Sequence, residues 1–175
     1  ADGTAKSSFG GGRLGTTHYM SRRVLVDSIK YLVEEFKVDG FRFDMMGDHD
    51  AEAIELAFTE AQKLNPNIIM LGEGWRTFTG DANQPVQPAD QDWMSSTDTV
   101  AVFSDEIRNT LKSGYPNEGQ PAFITGGAKS VESVCHNIKA QTGNFLADDP
   151  GDVIQYIAAH DNLTLFDIIA QSIKK

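Results

Sequence analysis

The order of its periodic segments constrains this chain more than any other feature: a helix, then four strands, three of them followed by helices and one, at 68–71, by a long loop. Leu25, Ile29, Leu32, Val33 and Phe36 recur at helical spacing and predict a helix over residues 22–36. Residues 38–43 read as a strand. Asp50 is placed to cap a second helix running to residue 64, with Ile54, Ala57, Phe58 and Ala61 on one stripe and Asn65-Pro66 to stop it. Ile68 to Leu71 is an unbroken apolar run of strand length. A short strand over 99–103, helices over 105–112 and 130–140, a strand over 153–159 and a helix over 163–173 complete the pattern. Three loops interrupt it: residues 1–20 with the run Gly10-Gly11-Gly12, residues 74–97 with Trp75, Phe78, Pro85, Pro88 and Trp93, and residues 113–128.

Strands that alternate with helices imply parallel strands joined by right-handed crossovers. The runs Ile68-Ile69-Met70-Leu71 and Val153-Ile154-Gln155-Tyr156-Ile157 suit strands covered on both faces. The fold class is therefore α/β, with one domain over residues 1–175 and no internal boundary. Four strands do not close an eight-stranded barrel, which takes about 250 residues. The alternatives are an open sheet or part of a (β/α)8 barrel. The opening Ala1-Asp2-Gly3-Thr4, without methionine, favours the second, with the other strands on a longer parent chain. Open edges at 38–44 and 153–159 would then seek partners, from that chain or from another copy.

Composition narrows the partners. With 25 acidic against 15 basic residues the net charge is −10, which speaks against nucleic acid and anionic membranes, whose phosphates need clustered Lys and Arg. A neutral ligand fits better. No run approaches the roughly 20 apolar residues of a membrane span, so no membrane insertion is expected. The single cysteine, Cys135, excludes an internal disulfide and a multi-cysteine zinc site; beside Val131 and Val134 it reads as a small core residue. His18, His49 and His136 make no metal cluster by spacing, and Asp48-His49-Asp50 reads better as a helix-capping turn than as a ligand set.

Three acids follow strands. In Asp39-Gly40-Phe41-Arg42-Phe43-Asp44-Met45-Met46-Gly47, strand alternation turns Phe41, Phe43 and Met45 one way and Arg42 with Asp44 the other. A salt-bridged surface pair is the plainer reading, but a strand in an alternating α/β chain seldom has a free face, and a buried charged pair costs several kcal/mol to desolvate. In Leu71-Gly72-Glu73-Gly74-Trp75 the glycines would let a ligand approach, and Trp75 offers a flat apolar plate. No arginine adjoins Glu73 in sequence, which leaves it free to hold a proton in a partly apolar site. In Ala158-Ala159-His160-Asp161-Asn162 either Asp161 or Asn162 could instead cap the next helix. All three acids fall where parallel strands end, the edge at which such sheets keep their active sites.

These stretches together resemble the α-amylase superfamily of glycoside hydrolases. Gly40-Phe41-Arg42-Phe43-Asp44 is similar to the family's strand-four signature, Glu73 to its strand-five acid, and His160-Asp161 to its strand-seven pair. Asp39 to Gly47, Gly72-Glu73-Gly74-Trp75, Ser104-Asp105-Glu106-Ile107-Arg108 and His160-Asp161-Asn162 resemble the type I pullulanases within it. The resemblance runs from about Met20 to Ala170. It implies a partial (β/α)8 barrel holding about strands four to seven, and hydrolysis of α-1,6 linkages in pullulan and branched α-glucans with retention. Asp44 would be the nucleophile, Glu73 the acid and then base, and Asp161 the acid that orients substrate. Arg42, His160, Trp75 and Asn162 would bind or support. No cofactor is required for this chemistry; the acidic loops leave room for a structural calcium, without EF-hand spacing to support one. A secreted or cell-surface location is implied by the same likeness.

The departures carry expectations too. The family's Asp and His motif at the end of strand three is missing, as is the pullulanase Tyr-Asn-Trp-Gly-Tyr stretch, so the 175-residue chain alone is expected to be nearly inactive. Three other readings stand beside this one. An α-1,4-acting hydrolase of the same superfamily would share the acids. A glucan-binding segment would use Trp75 and Trp93 without cleavage, and a metal-dependent hydrolase would need more histidines at strand ends than His160 provides.

Overall fold

A computed structural model describes residues 4–9, 11–80 and 85–173. Residues 1–3, Gly10 of the glycine run and residues 81–84 of the long loop lie outside the described residues. The chain divides into two units, Ala1–Val102 and Phe103–Lys175.

The first unit opens with a small hairpin, β1 (Ser7–Ser8) paired antiparallel with β2 (Gly11–Gly12), where sequence predicts only loop. Helix α1 (Tyr19–Phe36) starts three residues before the predicted boundary and ends at Lys37, which adopts the left-handed conformation and closes the helix with its N–H on Val33 O. Its buried residues are Val26, Ile29 and Val33, whereas Leu32 and Phe36 are exposed. The predicted stripe is thus rotated by part of a turn.

Strand β3 (Gly40–Phe43) leads to helix α2 (Ala51–Leu64), and strand β4 (Ile69–Gly72) lies parallel to β3. Gly40 pairs with Ile69, and the register runs on to Phe43 opposite Gly72. Helix α2 buries Ala51, Ala53, Ile54, Ala57 and Ala61, and these small side chains let α1 approach closely. Strand β5 (Ala101–Phe103) lies parallel to β4 on its other side. The core of this unit also takes in Met46, Met70, Met94 and Trp93, the last on a 3-10 turn over Gln91–Ser96.

Asp50 shows how the local rules and the packing meet. It is fully buried, its side chain accepts from Ala53 N–H at 3.0 Å as the helix cap, and the same oxygen receives the Arg22 guanidinium at 2.7 Å. Replacing Asp50 with Ala removes the cap, worth about 1 kcal/mol, and leaves Arg22 without this buried partner. We expect a total loss of about 2–4 kcal/mol in urea unfolding of the protein. Asp50→Asn, which keeps the cap oxygen, should lose clearly less.

In the second unit Ser104 caps helix α3 (Asp105–Leu111), its side chain accepting from Ile107 N–H. Helix α4 (Val131–Ile138) follows, capped by Ser130, and then strand β6 (Val153–Ile154) and helix α5 (Leu165–Ile173). Ser104 N–H donates to Ile154 O at 3.0 Å, directly after β5 ends. The predicted strand over 153–159 is cut to two residues for that reason: beyond Ser104 the neighbouring chain turns into α3 and offers no further ladder partner. Cys135 is exposed, not core, because α4 buries Val134 and Asn137 and Cys135 lies off that stripe. No helix among the described residues is long and apolar enough to cross a membrane.

Candidate active site

One further step along the β3–β4 register brings Asp44 opposite Glu73. The ladder continues there, since Glu73 N–H donates to Phe43 O at 3.0 Å. A carboxylate oxygen of Asp44 and one of Glu73 lie within 4.8 Å of each other, in keeping with the roughly 5–5.5 Å between the carboxyl groups of a retaining glycosidase pair. Arg42 ties them together. One of its terminal nitrogens pairs with an Asp44 oxygen and the other with a Glu73 oxygen. Glu73 is 4% exposed and its second oxygen accepts from Met45 N–H at 2.8 Å. The Asp44 side chain is 69% exposed. One carboxylate is thus packed in protein and the other is open to a ligand.

This geometry corrects two expectations. Arg42 and Asp44 are not a buried pair, their side chains being 30% and 69% exposed. Glu73 has an arginine partner after all, brought by strand pairing rather than by sequence. Both of its oxygens accept hydrogen bonds as they stand, so a role as proton donor requires Arg42 to swing toward Asp44.

The turns after the two strands lock against each other. Met45 takes the left-handed conformation, at φ 48°, and reverses the chain after Asp44. Gly47 N–H then donates to Glu73 O at 2.9 Å. A Cβ on Gly47 would lie 1.7 Å from Trp75 O, so only glycine fits there. The glycines around Glu73 serve the protein rather than a ligand: a Cβ on Gly72 would strike the Met46 sulfur, and one on Gly74 would strike Val102. Trp75 is half-buried. Trp93, 6% exposed, belongs to the core and is no sugar platform.

Arg76 fixes the loop that follows. Its Nε and a terminal nitrogen donate to both Asp92 oxygens at 2.9 and 2.7 Å, while the other nitrogen reaches Gln91 Oε1 at 3.0 Å. This fork was not legible in sequence, since sixteen residues separate the pair. Asp48 accepts from Ser8 and from Thr77, the latter at 2.6 Å, and pairs with Arg13 at 3.1 Å. Asp48 and Asp50 are therefore held by side chains and a helix end, in keeping with the capping reading of Asp48-His49-Asp50. Burial pushes the His49 imidazole down, against the pull of Asp48 and Asp50.

The remaining candidates belong to the second unit. His160 and Asp161 are exposed side by side, with Nε2 3.5 Å from an Asp161 oxygen. They lie on irregular chain, not at the tip of a strand, because β6 stops at Ile154. Asn162 is in the left-handed region at φ 66°. Neither Asp161 nor Asn162 caps α5. Thr164 does so reciprocally with Asp167: Thr164 N–H donates to the Asp167 carboxylate at 3.3 Å, and Asp167 N–H donates to Thr164 Oγ1 at 3.3 Å. Upstream, Tyr156 receives Arg108 on its hydroxyl at 2.7 Å and packs edge-on against Phe103.

No family model matches the chain. Over all 175 residues it is 75% identical to pullulanase A of Streptococcus pneumoniae serotype 2 (strain D39 / NCTC 7466), of which it spans 14%. This chain belongs to the type I pullulanase family. Among solved structures, the pullulanase SAP of group B Streptococcus in complex with maltotetraose matches 99% of this chain and 23% of its own, with a TM-score of 0.94 and 76% identity. The catalytic module of the multi-modular glycogen-degrading pneumococcal virulence factor SpuA matches the whole of this chain and 24% of its own, with a TM-score of 0.94 and 74% identity. This pullulanase-family chain thus spans about a seventh of the curated relative it matches. Its Asp44–Arg42–Glu73 arrangement stands within the matched segment.

Proposed function

We propose that this segment supplies the reacting carboxylates of an enzyme that hydrolyses α-1,6-glucosidic linkages in pullulan and branched α-glucans with retention of configuration. The observation that carries the reading is the Asp44–Glu73 opposition at the ends of adjacent parallel strands, spanned by Arg42. Strands β3 to β6 correspond in this reading to strands four to seven of a (β/α)8 barrel. The rest of the parent chain supplies the others, with a second copy as the alternative source.

Asp44 attacks the anomeric carbon while the bond from that carbon to the glycosidic oxygen breaks, and Glu73 gives its proton to the departing oxygen. A glycosyl ester on Asp44 results. Water then attacks the same carbon, Glu73 takes the water's proton, and the ester bond breaks to free Asp44. Two inversions restore the original configuration. Arg42, a planar fork, aligns both acids and lets go of Glu73 as that residue takes on its proton. Asp161 and His160 hold sugar hydroxyls and oppose the positive charge that builds on the ring, Asn162 supports them, and Trp75 lines the groove. The bond-breaking step calls for no metal or organic cofactor. A secreted or surface location is proposed from the likeness to the type I pullulanases alone, and fractionation of intact cells tests it.

Maltotriose as the first product from pullulan, released as the α-anomer by proton NMR, is the expected result with the full-length enzyme. Products cut at α-1,4 bonds would replace this reading with that of an amylase-type hydrolase. The purified 175-residue chain is expected to release no reducing ends from pullulan, because half of a barrel's strand ends, and the sugar contacts they bear, are missing. Measurable release by that chain would show that the residues within it suffice.

A further inference from the structure

Lys112 is buried to 1% exposure just beyond α3, whereas the other described lysines sit mostly at the surface. Burying an ammonium group costs several kcal/mol unless a partner holds it. Its Nζ donates to the carbonyl oxygen of Leu163. The N–H of the same residue donates to Glu118 Oε1 at 3.0 Å. Both backbone polar groups of Leu163 are therefore held by charged side chains from one short segment. That segment is itself braced: Ser113 Oγ donates to Gln120 O at 3.1 Å, and Gln120 N–H donates to Asn117 O at 2.9 Å. Leu163 comes two residues after Asp161 and directly after Asn162, whose left-handed backbone turns the chain.

We infer that Lys112 and Glu118 are positioning residues, a two-point clamp on Leu163 that sets the aim of the His160-Asp161-Asn162 turn. The inference rests on the proposed role of Asp161. The cap of α5 begins only at Thr164, one residue beyond Leu163. A clamp at Leu163 fixes the trailing end of the turn. Misplacing a catalytic group by about 1 Å can cost about 10²-fold in rate, so loss of the clamp should lower kcat more than it alters KM.

The test uses the full-length enzyme with pullulan, measuring kcat, KM and thermal midpoint for Lys112→Met, Lys112→Arg, Glu118→Ala and Glu118→Gln, beside Asp161→Asn. Expected are a fall in kcat of about 10- to 100-fold for Lys112→Met and Glu118→Ala with KM within about threefold. Lys112→Arg and Glu118→Gln, which keep a donor and an acceptor, should recover most of the rate. If Lys112→Met fails to fold, the Glu118 pair and Lys112→Arg decide. Variants that keep kcat while losing only thermal stability would overturn the clamp and leave Lys112 a structural residue. Asp161→Asn inactive beside a fully active Glu118→Ala also overturns the clamp alone, whereas a fully active Asp161→Asn overturns the functional reading on which it rests.

Discussion

Asp44→Asn in the full-length enzyme is expected to lower kcat on pullulan by on the order of 10⁴-fold or more, with little change in KM. Removing the group that forms the covalent bond takes away an interaction made only in the reaction, and knock-outs of this kind cost about 10⁴ to 10⁶. The substitution keeps the side-chain shape and one acceptor for Arg42, so the fold is not at stake. Asp44 is exposed, holds no helix end, and pairs with the same guanidinium that also reaches Glu73. A residual rate within about tenfold of the parent would mean that another residue attacks the sugar. Steady-state rates on pullulan, with circular dichroism as the check on folding, decide it.

Glu73→Gln should behave differently, and the difference identifies its role. General acid and base assistance contributes about 10²–10⁴ in rate, so hydrolysis of pullulan should fall by about that much. A substrate whose leaving group needs no proton, such as an α-maltotriosyl fluoride, should still glycosylate Asp44 quickly. Hydrolysis of the ester, which needs Glu73 as base, then becomes slow and the covalent intermediate accumulates. Gln still presents a carbonyl oxygen to Met45 N–H or to Arg42, so the buried site keeps most of its hydrogen bonds. Equal losses on pullulan and on the fluoride would remove Glu73 from the acid role.

Local chemistry explains what the sequence made legible. Asp50 stands before an apolar helical stripe and caps it; Asn65-Pro66 follows and the helix ends at Leu64. The alternation Arg42 out, Phe43 in, Asp44 out needs only the two-residue period of a strand. What escaped depends on partners far along the chain. Arg42 meets Glu73 because β3 and β4 pair in one particular register, and nothing near either residue announces it. The strand predicted over 153–159 has the right residues, but β5 gives way to α3 and the ladder stops. Gly72 and Gly74 looked like room for a ligand and are room for Met46 and Val102. Cys135 and Trp93 exchanged places, one exposed and the other buried, since each depends on which face its helix or turn presents.

The most direct test of the paired-carboxylate account is to trap the covalent intermediate. The full-length enzyme is treated with a slowly turned-over fluorinated α-glucosyl fluoride, digested, and its labelled peptide sequenced by mass spectrometry. A sugar ester on Asp44, in the peptide containing Gly40-Phe41-Arg42-Phe43-Asp44, is the predicted result. A label on any other carboxylate, or turnover with no ester and release of the β-anomer, would contradict it.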